Sequence, residues 1–148
     1  MTPIVSTVEI ARPPEEVFTY VTDPSRFAEW QKGVVSGGIE GGQGPAVGCR
    51  CVTTRKLGGA ERTTAAEITE IDPSRRWAVH GVDGPVRADV SVSVDPVAGG
   101  ASSRLTIALD FHGHGIGRVL VPLFVRRDAE KEVPMSCGKL KQRLEGGA

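Results

Sequence analysis

Aromatic side chains are scarce in this chain, which holds one tyrosine, two tryptophans and four phenylalanines in 148 residues. An interior must therefore be filled mainly by aliphatic residues, and a catalytic phenol has a single candidate, Tyr20. Excess charge is lacking as well. Eighteen basic and eighteen acidic residues leave a formal net charge of zero and an isoelectric point near 6.8. No long-range field then gathers nucleic acid or an anionic membrane, and neither is expected as a partner. The longest uninterrupted apolar run, Val119 to Val125, contains Pro122 and falls far short of the ~20 residues that span a bilayer. No basic-then-apolar signal segment precedes the first strand, so the expected location is the cytoplasm. Cysteines are few and odd in number. Cys49 and Cys51 sit two apart in an expected strand, on one face but too far apart for good disulfide geometry, and are expected to be buried thiols. Gly41-Gly42-Gln43-Gly44 lacks the Gly-Lys-Ser/Thr and following helix of a phosphate loop, and fits a flexible flap better. Ser136-Cys137-Gly138 lies in a helical pattern, outside the strand-turn-helix setting of a nucleophile elbow.

What is present is organised from the start. Val5 to Ile10 reads as a short β-branched strand. Pro13-Pro14-Glu15-Glu16-Val17-Phe18 then opens a helix with proline first and acids in the first turn. Asp23-Pro24 repeats the device, with Asp23 as N-cap of a second helix ending at Trp30. A glycine-rich stretch, Gly33 to Gly48, surrounds a brief strand at Val34-Val35 and Ile39. Cys49 to Leu57 and Glu61 to Ile71 form a predicted hairpin across Gly58-Gly59-Ala60, and Arg75 to His80 follows the turn Asp72-Pro73-Ser74. Val86 to Val94 alternates small apolar residues at even positions with polar ones at odd positions, the pattern of a half-buried strand ended by Asp95-Pro96. Arg104 to Phe111 is the last strand. From Val119 to Leu144 apolar residues recur at three- and four-residue steps, which predicts one long amphipathic helix, kinked or interrupted at Pro134 and stopped by Gly146-Gly147.

The opening P-x-E-x-V-F at Pro13 to Phe18 and D-P-x-x-x-x-x-W at Asp23 to Trp30, followed by strands and a long C-terminal helix, resembles the START-like, polyketide cyclase/dehydrase-related (SRPBCC) superfamily across essentially the whole chain. The resemblance implies a single α+β domain over residues 1–148 with a helix-grip fold. In that fold a curved antiparallel sheet of about seven strands wraps around the long C-terminal helix, with two short helices after the first strand, enclosing an apolar cavity.

Strand parity says which side chains face the helix. Val86, Ala88, Val90, Val92 and Val94, with Leu105, Ile107, Leu109 and Phe111, are set against Val119, Leu120, Leu123 and Phe124, while Trp77 and Val79 point in and His80 points out. So many small residues suit either a compact core or unfilled volume, and the resemblance implies the cavity. Trp30 either closes it or anchors the second helix. Arg126 and Arg127 interrupt the helical stripe, and one of them, Arg127 in the expected ligand set, either reaches a carboxylate or enolate-like oxygen of a ligand or extends to solvent. Asp110, His112 and His114 alternate as metal ligands sometimes do, yet they lead into a glycine-rich loop, and no metal or cofactor is expected.

Two functions compete, both implied by the resemblance. The first is binding of a small, mainly hydrophobic molecule such as a lipid, a terpenoid or an aromatic polyketide, by a monomer or homodimer. The alternative is a polyketide aromatase/cyclase acting in the same cavity, which needs an acid and a base that the aliphatic inward positions do not supply. A protein-interaction regulator is third, disfavoured by Arg87, Asp89, Ser91 and Ser93 on the expected outer face.

Overall fold

The computed structural model describes residues 3–42, 45–57, 59–83, 86–113, 115–116, 118 and 126–146. The expected Gly58 turn position, His114 and the helix-stripe residues Val119, Leu120, Leu123 and Phe124 lie outside the described residues. Strand β1 (Ile4–Ile10) leads into helix α1 (Pro14–Val21), whose N-terminus carries Pro14 with Glu15 and Glu16 in its first turn. A 3₁₀ turn at Pro24–Arg26 and the short helix α2 (Phe27–Trp30) follow. Asp23 caps this turn, accepting hydrogen bonds from Ser25 N at 3.0 Å and Ser25 Oγ at 2.6 Å.

Six further strands come next: β2 (Val34–Ile39), β3 (Arg50–Leu57), β4 (Ala60–Asp72), β5 (Arg76–Gly81), β6 (Val86–Val97) and β7 (Ser102–Gly113). Every pairing is antiparallel, and the seven strands form one curled sheet in the order β1-β7-β6-β5-β4-β3-β2. The first strand thus stands at one edge, paired with the last. Gly37 on β2 lets the Pro24 turn lie directly on the sheet, because a Cβ there would collide with the Pro24 carbonyl oxygen. Strand β6 runs through Asp95-Pro96 rather than stopping before it. Its pairing with β5 ends at Ser93, so Pro96 faces β7 through Ser103 and has no ladder donor to supply on its other side.

Helix α3 (Arg126–Glu145) is continuous through Pro134 and packs chiefly against β1 and α2. Ala129, Cys137 and Leu140 are its buried residues, at three- to eight-residue spacings along one stripe. Gly146 N donates to Gln142 O at 2.8 Å and ends it. The core lies between the sheet and the helices, and joins Ile10, Val17, Phe18 and Val21 from the N-terminal elements to Trp77, Val79, Val92, Val94, Leu105 and Ile107 from the sheet and Leu140 from α3. The architecture is the α+β helix-grip arrangement expected from the sequence.

Candidate functional site

Parity carries through the inner face of the sheet. On β5 to β7, Trp77, Val79, Val92, Val94, Leu105 and Ile107 are buried, whereas His80 and Ser91 on the other face are exposed. Further along the same inward rows, Ala88, Val90, Leu109 and Phe111 are only half-buried. An apolar surface therefore continues beyond the packed core. The cross-strand pairs Ala88 with Phe111 and Val90 with Leu109 place these four residues together on that surface.

An aromatic cluster lines the other end. Phe27 stands edge-on to Trp30 at 5.7 Å and to Trp77 at 6.4 Å between ring centroids, tying α2 to β5. Trp30 is 5% exposed and Trp77 3%, yet neither indole N–H meets an acceptor among the described residues. Trp30 is packed in the core, where it anchors α2 against Phe27.

The inner face of β3 holds a charged group that sequence reasoning passed over. Cys51 and Thr53 are buried there, and Arg55 follows two residues on, opposite Val34 of β2 and Arg62 of β4. Its Nη2 donates to Gln31 Oε1 at 3.0 Å. Burial lowers the Arg55 pKa from its ordinary value. The signal that could have found it is the strand's period of two: Cys51, Thr53 and Arg55 share one face.

Of the helix pair singled out in the sequence, Arg126 is the more buried, its side chain 16% exposed and 3.9 Å from Glu130, while Arg127 is exposed. Tyr20 is committed elsewhere. Its hydroxyl donates to Glu29 Oε1 at 2.8 Å, and burial followed by that bond raises its pKa from 10.0. Glu29 also meets Arg26 at 3.7 Å and Arg143 at 3.4 Å, so the phenol belongs to a lock joining α1, α2 and α3.

The outer face is polar. Asp89 accepts from His80 Nδ1 at 2.5 Å through one carboxylate oxygen and from His112 Nε2 at 2.7 Å through the other, so that one carboxylate bridges two imidazoles. His80 and Asp89 line a shallow open trough of about 450 Å³ together with Ala78, Ser91 and Ala108. Asp110, one of the alternating trio, accepts from the Phe111 backbone N–H at 3.0 Å, and no group of three or more ligand-type side chains among the described residues could hold a metal ion.

Comparison with known proteins adds the lineage. The family model for polyketide cyclase/dehydrase and lipid transport proteins matches residues 1–145. A START superfamily protein from Mycobacterium smegmatis has the same fold, at a TM-score of 0.77 and 16% identity over 100% of both chains. A protein from Thermus thermophilus matches at 0.76 and 18% identity over 99% of each chain. The di-domain ARO/CYC BexL of the BE-7585A biosynthetic pathway matches at 0.75 and 16% identity over 98% of this chain. The chain spans about half of that protein, 47% of its length. Among curated proteins no sequence matches.

Proposed function

The chain belongs to the polyketide cyclase/dehydrase and lipid transport family, and from that premise we propose that it binds a small, mainly hydrophobic molecule in the concavity between the sheet and the C-terminal helix. The observation that carries this reading is the half-buried apolar surface of Ala88, Val90, Leu109 and Phe111, continuous with the core and on the inward side of the strands. An aliphatic wall of this kind suits a lipid, a terpenoid or an aromatic polyketide. Binding is favoured over aromatase/cyclase chemistry by the lining. Among the described residues the inward strand positions carry no histidine, tyrosine or carboxylate, and Tyr20 is held by Glu29.

Ligand-dependent melting tests the reading. A molecule that binds only the folded state at a hundred times its dissociation constant adds about 2.7 kcal/mol of stability. The melting temperature should therefore rise with fatty acids, steroids or flat aromatic polyphenols. Val90→Trp should abolish that rise while leaving the unliganded protein about as stable as the parent. A packed interior would instead be overfilled and lose about 1–3 kcal/mol. Loss of stability in the variant together with no shift in the parent across the panel would overturn the container.

A further inference from the structure

The geometry points to Arg55 as the anchor for an acidic group, so that the molecule held in the concavity is an anionic amphiphile, an apolar body carrying a carboxylate. This rests on the container reading above and adds the chemistry of the ligand's polar end. Arg55 projects from the inward side of β3, in the row that buries Cys51 and Thr53. Its one hydrogen-bond partner among the described residues is neutral, the side-chain oxygen of Gln31. No carboxylate lies within ion-pair distance of it among the described residues. A half-buried guanidinium gives up part of its hydration, a cost that an accompanying anion offsets, and burial lowers its pKa.

The neighbourhood sharpens the point. Arg62 is the direct cross-strand partner of Arg55, and like charges placed opposite each other across a ladder repel. No ion pair or hydrogen bond engages the Arg62 side chain among the described residues. One carboxylate set between two such groups would relieve the repulsion, and the planar guanidinium offers it two parallel N–H donors. The indole N–H groups of Trp30, next to Gln31 in the chain, and of Trp77 are two more buried donors without acceptors. Arg55 and the two indoles thus present donors on the inward side, and exposed Arg62 adds positive charge beside Arg55. The inward strand positions offer no anion, and Glu132 on α3, whose Oε2 is buried without a partner, is paired through its other oxygen with Lys32 at 3.6 Å. The apolar row of Val90, Leu109 and Phe111 supplies the complementary surface for the ligand's body.

Paired probes separate the anchor from the container: dodecanoate against methyl dodecanoate, and 2-naphthoate against methyl 2-naphthoate, titrated into the full chain by calorimetry. In the parent each acid should bind roughly 10- to 100-fold more tightly than its ester, the range expected of one charge-assisted pair. Arg55→Gln should bring acid affinity down to that of the ester and leave the ester unchanged, and Arg55→Lys should restore part of the difference. The unliganded Arg55→Gln protein should melt no lower than the parent, since an uncompensated charge has been removed. If esters bind the parent as tightly as acids, or Arg55→Gln leaves the acid preference intact, the anchor is wrong and the container stands. If neither member of either pair binds, the container reading falls and the anchor with it. If Arg55→Gln does not fold, Arg55→Lys carries the test, and an acid-to-ester ratio equal to the parent's in that variant would likewise overturn the anchor.

Discussion

At the scale of single residues, burial decides which groups are reactive. Cys51 is packed on the inner face of β3, and burial, reinforced by the charge of Cys49, pushes its thiol up to about 11. Its thiolate fraction near neutral pH is then about a hundredfold below that of an ordinary cysteine. A thiol reagent at pH 8 should label Cys51 much more slowly than the half-buried Cys49, with the two rates converging in denaturant. Rapid native labelling of Cys51, read by peptide mass spectrometry, would mean that β3 opens readily. The same strand shows where sequence reasoning stopped. Arg50-Cys-Val-Thr-Thr-Arg-Lys-Leu has polar residues on both faces, so the period of two groups Cys51, Thr53 and Arg55 together but does not say which face turns inward, and Arg55 stayed hidden. The strict alternation of β6 had no such ambiguity, and its inward and outward sets were legible from residue types alone. His80 was readable as outward-facing, but its bond to Asp89 depends on the β5–β6 register, which no local pattern encodes.

At the scale of elements, the helices and strands follow their punctuation closely, and the departures have local causes. Proline was read as a strand terminator at Pro96, yet termination depends on whether both ladder edges are occupied, and that is a property of β5's length. Proline inside α3 is the costlier case. Pro134 is exposed, lacks the N–H that would bond Glu130 O, and crowds that carbonyl, at a cost of about 3 kcal/mol in an ideal helix. Pro134→Ala should therefore stabilise the protein, by roughly 1–3 kcal/mol. The expected sign in equilibrium urea unfolding is a higher midpoint with an unchanged slope. An unchanged midpoint would show that a bend in α3 already accommodates the ring.

At the scale of the whole molecule, the end of α3 is clasped to the loop after β1. Glu145 Oε2 accepts from the Ala11 backbone N–H at 2.8 Å and from Lys141 Nζ at 2.6 Å, while Lys141 also donates to the Glu9 carbonyl at 2.7 Å. The Lys141 bond first, and the Ala11 bond second, hold the Glu145 pKa below its ordinary 4.5. A carboxylate depressed in the folded state contributes stability that is fully present above its unfolded pKa and is lost as pH falls through the folded value. Melting temperature should thus fall on acidification below about pH 4.5 less steeply in Glu145→Gln than in the parent. Parallel acid limbs in the two proteins would show that the clasp adds nothing to pH sensitivity.

The edge position of β1 has a consequence for how the chain acquires its shape. Thr7 bonds Thr106 at a sequence separation of 99, so the sheet's first strand has no partner until nearly everything else has been made. The other strand pairs follow one another along the chain and can zip successively as hairpins. Synthesis from the N-terminus therefore leaves β1 waiting while β2 to β7 assemble, and the entropy of that closure is met in a single late step. That long-range closure should be slower than the hairpin pairings that precede it. During that interval the apolar residues Ile4, Val8 and Ile10 would be open to chaperones emerging with the nascent chain.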